Sequence, residues 1–200
     1  MTGFPNQGRV KFQDEQEAFN FITGAGSGST AVFGLGGGSM FRRPAAAVSL
    51  AAGTGNQSIF GASKGQFSVE AGKSYRFEGV LVLNTGTTTH TTAFGFVLAT
   101  AVLANYRAAV IAGDAADDAV GAATIVNLES ETPAVINATS VDPETIILVT
   151  GSFDCTTAGT VQPVIAFSAN PGGTNTVETG SWFSLQALAP STIEKFGAVT

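Results

Sequence analysis

The chain has 200 residues, a length that fits one compact domain with an appended segment. Only 12% of the residues are charged and 44% are hydrophobic, so the chain is too apolar to be disordered, and its surface must consist of small residues or be covered by other protein chains. A net charge of −6 argues against nucleic acid or an anionic membrane as a partner, and one cysteine with one histidine nearly excludes a Cys/His metal site.

The amino terminus predicts neither export nor membrane insertion. Residues 1–6 lack the basic and apolar regions of a secretory signal, and no run of about 18 apolar residues is free of Gly, Thr or Pro. We therefore expect the chain to be made and kept in a cytoplasm, where Cys155 needs no disulfide partner.

Residues 1–43 differ from the rest of the chain in charge and glycine content. They carry four basic and three acidic residues, whereas residues 44–200 have a net charge of −7. Asp14 is placed to cap a short helix over residues 15–22, and glycine-rich runs follow it in a piece too small to build its own core. We interpret residues 1–43 as an amino-terminal arm, 44–56 as a linker, 57–188 as a β domain and 189–200 as a carboxy-terminal tail.

The arm holds apolar and basic side chains that are candidates for binding a neighbouring protein. They are Phe4, Arg9, Lys11, Phe12, Phe19, Phe21, Ile22, Arg42 and Arg43. Phenylalanine exposed on a segment without a core is a liability in water, so these groups are expected to be covered by a partner. Two alternatives stay open: the arm adds a strand to its own domain, or the adjacent arginines are simply solvated.

From about residue 57 the hydrophobic residues follow a period of two, which predicts strands. Strands are predicted at 31–33, 58–60, 66–69, 74–83, 91–99, 106–111, 123–128, 134–138, 145–153, 161–168 and 181–188. Pro163 gives the strand over 161–168 an edge-like character, because proline donates no ladder hydrogen bond. Many short strands without an intervening helix predict an all-β fold, an antiparallel jelly-roll sandwich whose arm carries at most one short helix.

The alternation also predicts which side chains face the core and which face outward. The predicted core residues are Tyr75, Phe77, Leu81, Phe94, Phe96, Leu98, Ile165, Phe167, Phe183 and Leu185. Apolar residues on the opposite, mixed faces are candidate subunit contacts, namely Val80, Val82, Val97 and Ala99.

The segment Gly61-Ala62-Ser63-Lys64-Gly65 matches the G-x-S-x-G nucleophile elbow of serine hydrolases. That elbow needs a helix after the serine and a later acid and histidine, whereas here a strand-like segment follows and His90 lies in a threonine-rich turn. A glycine-rich turn between strands is the better interpretation, and an esterase-like hydrolase is a remote alternative.

Two acidic groupings and the glycine runs of the arm also fail the tests for a site. Asp114, Asp117 and Asp118 lack the alternate spacing and closing glutamate of a calcium loop. Glu70 and Glu78 resemble a glycosidase pair only in number, since the chain has one tryptophan to line a sugar cleft. The glycine runs of the arm lack the lysine and serine or threonine of a phosphate loop. We expect no catalytic residue, no cofactor and no metal.

Two longer stretches resemble a known family. Phe67-Ser68-Val69-Glu70-Ala71-Gly72-Lys73-Ser74-Tyr75-Arg76-Phe77-Glu78-Gly79, together with Glu178-Thr179-Gly180-Ser181-Trp182-Phe183-Ser184-Leu185, resembles the β-rich structural proteins of tailed bacteriophages. In that family such segments open and close a jelly roll similar to the tumour-necrosis-factor fold. The resemblance covers about residues 57–188 and leaves the arm outside it.

The resemblance implies a virion component, often trimeric, located in the virion after assembly in the host cytoplasm. The leading interpretation is a homotrimeric capsid decoration (cement) protein that binds the major capsid protein or another virion protein and stabilises the head shell. A tail, baseplate or fibre component with a receptor-binding or adhesion role is the alternative. Scarce charge and an arm without a core agree with a subunit that is rich in interfaces.

Overall fold

A computed structural model describes residues 39–61, 64–114, 123–137 and 144–190. Within these ranges the chain is all-β and contains no helix. The strands are β1 (Ser39–Arg42), β2 (Val48–Leu50), β3 (Gln57–Ser58), β4 (Phe67–Val69), β5 (Lys73–Asn84), β6 (Thr92–Ala99), β7 (Val102–Asp114), β8 (Thr124–Leu128), β9 (Ala134–Asn137), β10 (Glu144–Thr157), β11 (Gly159–Phe167), β12 (Asn175–Val177) and β13 (Trp182–Pro190). No helix long and apolar enough to cross a membrane occurs in the described part.

The strands form two antiparallel sheets that pack as a sandwich. In the first sheet the order is β1-β13-β5-β10-β7-β8, with β12 beside β5 and β2 beside β12. In the second sheet the order is β3-β11-β6-β9, with β4 also beside β11. These sheets are called the eight-stranded and the five-stranded sheet below.

The pairing of eight of these strands is that of a jelly roll. Taken in chain order as β1, β4, β5, β6, β9, β10, β11 and β13, the first pairs with the last, the second with the seventh, the third with the sixth and the fourth with the fifth. A ribbon paired in this way rolls into two facing four-stranded sheets. The predicted fold class is therefore confirmed, and the β7–β8 hairpin widens one sheet beyond β10.

Aromatic rings fill the space between the sheets. Phe77 on β5 lies 5.2 Å from Phe96 on the opposite sheet, in an edge-to-face arrangement, and 5.9 Å from Phe183 on β13. Gly151 on β10 makes room for this cluster, since a Cβ there would collide with the ring of Phe77 and the carbonyl of Arg107. Ring pairs of this kind add about 0.5–1.5 kcal/mol beyond the area that they bury.

The predicted core is confirmed with one exception. Nine of the ten core residues predicted from alternation are at most 3% exposed, and Leu98 near the end of β6 is half-buried against the core. The position of Leu98 explains the difference, because Ala99 and Thr100 beside it are exposed where the chain crosses from the five-stranded sheet to β7 of the eight-stranded sheet. Thr100 adopts a φ of 59° at this crossing.

The expectation that Pro163 marks an edge strand is wrong, because β11 is an internal strand between β6 and the pair β3 and β4. On that second side β4 pairs with β11 up to Val161 and β3 pairs with it from Val164, so the proline falls at the break between them. On the other side Pro163 lies opposite Phe96, whose N–H donates instead to the carbonyl of Glu131. The missing N–H of Pro163 therefore interrupts no ladder.

Strand pairing also begins earlier in the chain than the predicted bounds of the β domain. β1 comes from the end of the predicted arm and pairs with β13, and β2 comes from the predicted linker and pairs with β12. The structure thus places Ser39–Arg42 at the edge of the eight-stranded sheet. Residues 1–38, and with them the predicted strand at 31–33, lie outside the described residues.

Candidate interaction surface

The outer face of the eight-stranded sheet carries a row of apolar side chains on five adjacent strands. Trp182 on β13 lies opposite Val80 on β5, which lies opposite Leu148 on β10. Leu148 in turn lies opposite Ile111 on β7, which lies opposite Ile125 on β8. With strands about 4.8 Å apart, this apolar row runs for about 19 Å straight across the sheet.

The row faces away from the core because of the pleat of each strand. On β10 Ile147 and Val149 are buried, so Leu148 between them points outward and is 44% exposed. On β7 and β8 the same alternation leaves Ile111 39% exposed and Ile125 70% exposed. Val80 and Trp182 are half-buried within the row.

Neighbouring side chains widen the row into an apolar band. Val82 and Ile146, which lie opposite each other two residues along β5 and β10, form a second short row. At the β1 edge the ring of Phe41 stacks on Trp182, with ring centroids 5.9 Å apart, and Phe41 stays 54% exposed. A monomeric protein rarely leaves so many contiguous apolar groups in water, so this face has the character of an interface.

Polar and charged residues lie on both sides of the apolar band. A charged row lies four residues away from the apolar row in one direction along the strands. In it Ser152 on β10 lies between Arg76 on β5 and Arg107 on β7. Four residues in the other direction lies Glu144, opposite Asn84. At about 3.4 Å per residue both charged rows are about 13 Å from the apolar row.

The two arginines differ in their partners. Arg76 forms an exposed ion pair with Glu78, with 3.3 Å between Nη2 and Oε2. Arg107 donates from Nη1 to its neighbouring carbonyl on Tyr106 at 2.7 Å, and within the described residues it forms no ion pair. Glu144 likewise has no ion pair among them.

The four predicted subunit contacts divide between the two sheets. Val80 and Val82 lie in the apolar band, whereas Val97 and Ala99 lie on the outer face of the five-stranded sheet. Val97 is 37% exposed and lies opposite the polar Gln162. The sequence analysis did not predict Ile111, Ile125, Ile146 and Leu148 as subunit contacts. The local sequence marks them only in that apolar residues occur on both alternating faces of their strands.

Of the predicted arm contacts, the structure describes two. Arg42 lies over the ring of Phe67 at 5.3 Å and donates from Nη2 to the carbonyl of Gln66 at 3.5 Å. Arg43 donates from Nε to the carbonyl of Thr179 at 3.2 Å. Both arginines thus contact their own domain, and together with Lys64 they line a cavity of about 670 Å³. The other arm residues, Phe4, Arg9, Lys11, Phe12, Phe19, Phe21 and Ile22, lie outside the described residues.

Among the described residues, the motifs considered for chemistry form no site. Ser63, Asp117 and Asp118 lie outside the described residues. The ring of His90 is 2% exposed, packs edge-on against Phe167 at 5.2 Å and uses Nδ1 to contact the carbonyl of Thr88 at 2.7 Å. His90 is therefore held as a core histidine.

The acidic pair considered for sugar hydrolysis is exposed and engaged in ion pairs. Glu70 pairs with Lys73 at 2.7 Å, and this contact raises the pKa of Lys73. Glu78 pairs with Arg76 on the outer face. Within the described residues no group of three or more His, Cys, Asp or Glu side chains is arranged to hold a metal ion.

The sequence matches no protein-family model and no curated protein. Among solved structures the chain has a weak match to a chain in a structure of infectious bursal disease virus, Gx strain, with 12% identity and a TM-score of 0.18. The match covers 77% of this chain and 41% of the viral chain. A likeness at this level supports no inference about fold or function.

Proposed function

We propose that the protein is a non-enzymatic structural subunit of a virus particle that assembles with copies of itself and with another virion protein. The observation that carries this proposal is the apolar band across the outer face of the eight-stranded sheet. Jelly rolls serve as shell proteins of virus particles, among other roles, so the connectivity agrees with the proposal without establishing it.

The finer form of the proposal is a capsid decoration, or cement, protein of a tailed bacteriophage. It is supported by the resemblance of residues 67–79 and 178–185 and by the low charge of the chain. A cement protein needs one surface for its own copies and another for the shell. The apolar band supplies the first, and the arm that precedes β1 is the proposed second. The resemblance implies a homotrimer, which is the alternative to the two-fold contact argued below.

The experiment is to add the purified full-length chain to particles that lack it and to measure co-sedimentation and the heat stability of the shell. The proposal expects saturable binding and a shell that releases its genome at a higher temperature. A particle map then locates the bound chain. Density on the tail instead of the head would favour the fibre or baseplate alternative, and the absence of binding to either would contradict the proposal.

A further inference from the structure

We infer that the apolar band packs against the same band of a second copy of this chain, through a two-fold axis that runs along the apolar row. The inference rests on the proposed function, in that it takes the outer face of the eight-stranded sheet as the surface of self-assembly. It goes beyond that proposal by naming the symmetry and the pairs of residues that meet. A two-fold contact is self-complementary, so each residue is used twice.

The charges beside the band favour this axis. A rotation about the row exchanges the two ends of every strand, so the side chain of Glu144 in one copy meets the row of Arg76, Ser152 and Arg107 in the other. The two rows meet because each lies four residues from the apolar row, and therefore at the same distance from the axis. Glu144 then faces Ser152 with an arginine on the strand at either side.

Arg107 is the better partner of the two arginines. Arg76 is already paired with Glu78 in its own chain, whereas Arg107 and Glu144 have no ion pair within the described residues. Facing sheets lie about 10 Å apart and cross at about −30°, which moves a row 13 Å from the axis sideways by about 7 Å, or about one and a half strand spacings. Long side chains such as arginine and glutamate span that displacement.

The other two-fold arrangement is disfavoured by the same charges. An axis parallel to the strands keeps each row facing its own equivalent, so the arginine rows of the two copies would meet each other. Like charges that face each other across an interface disfavour association. It would also place the row of Glu144 and Asn84 opposite the same row of the second copy.

The size of the face suits a contact between two copies. Five strands, and the nine residues from one charged row to the other, span about 19 Å by 27 Å, which is about 500 Å² of flat face. Two such faces bury about 1,000 Å² in total, which is near the lower limit for a specific interface. The apolar band lies at the centre of this face; Glu78, two residues from the apolar row, is neutralised by Arg76, and the other charges lie at the rim, as is usual for a protein interface.

The test is a charge exchange in the full-length chain, read by the dissociation constant of self-association. Glu144→Arg alone places a third cation beside two others and is expected to raise the dissociation constant at least tenfold. Arg107→Glu alone is expected to have a similar effect. The double variant restores an opposite-charge pair, and its dissociation constant should return to within about threefold of the wild-type value.

A control variant shows whether the effect depends on the outer face of the eight-stranded sheet. Glu70→Arg, on the turn between β4 and β5, makes the same charge change away from the face and should leave association unchanged. If the effects of the two single substitutions on the dissociation constant simply add in the double variant, the two-fold contact is overturned. A wild-type trimer also overturns it, because a trimer needs head-to-tail contacts, but a trimer leaves the proposed function intact. A wild-type monomer that also fails to bind particles overturns both.

Discussion

Phe96 joins the two halves of the sandwich, because it reaches from the five-stranded sheet into rings of the eight-stranded sheet. It is 3% exposed and has ring neighbours on β5, β7, β10 and β13. We expect Phe96→Ala to lower the free energy of unfolding by about 3–5 kcal/mol, measured by denaturant titration. Val97→Ala, one residue along β6 and outward-facing, should cost less than about 1 kcal/mol. Equal losses would show that the facing is wrong.

Asn105 and Asp154 form a polar link at an irregularity of β7. Between Ser152 and Asp154 the pairing register shifts, and Asn105 adopts a φ of 51° at that point. Its amide donates to Asp154 Oδ2 at 2.7 Å, and Ser74 donates to Oδ1 at 2.5 Å. These two donors hold the pKa of Asp154 below its ordinary value.

This link predicts a pH-dependent contribution to stability. A depressed pKa means that the stabilisation is present above the unfolded-state value of about 4 and is lost as the pH falls through the lower value of the folded state. Asn105→Gly keeps the positive φ and removes the amide, so it should destabilise the protein at pH 7 and progressively less as the carboxylate protonates. In an Asp154→Asn background the same glycine substitution should show no such pH dependence; if it does, Asp154 is not the group responsible.

At the level of the strands, local alternation predicted the position of long elements and the direction in which they face. It did so for β5, β6 and β11, because one buried face fixes the register of a strand. β1, β2 and β12 were not predicted; each has only three or four residues and pairs with a strand distant in sequence, whereas β4 and β9, which are as short, were predicted. The apolar row was beyond local analysis, because Leu148 and Ile111 become neighbours only through the pairing of β10 with β7.

β1 separates two possible roles of the amino-terminal segment. Deleting residues 2–38 leaves β1 in place, so the fold should be retained while binding to particles is lost, if the arm is the anchor to the shell. Deleting residues 2–43 also removes the partner of β13 and the ring of Phe41 from Trp182, so thermal unfolding should occur at a lower temperature. Particle binding that survives both deletions would contradict the anchoring role.

For the whole molecule, the outer face of the eight-stranded sheet accounts for a chain with so little charge. Five of the nine exposed large apolar side chains in the described part lie in the apolar band, and burying a side chain of the size of leucine contributes about 1.5–3 kcal/mol. Several such side chains, each used twice in the proposed two-fold contact, would offset the entropy lost on association. The apolar band is therefore the surface that the proposed self-association covers.

Sedimentation equilibrium of the full-length chain at micromolar concentration tests this account most directly, with Leu148→Asp as the disrupting variant. Leu148 lies at the centre of the apolar row and is exposed, so an aspartate there is compatible with the fold but places a charge in the contact. The matched control is Val135→Asp, at a side chain of similar exposure on β9 of the other sheet. Self-association through the apolar band predicts an assembled wild type, an assembled Val135→Asp variant and a folded, monomeric Leu148→Asp variant. A Leu148→Asp variant with the mass of the wild-type assembly would contradict it.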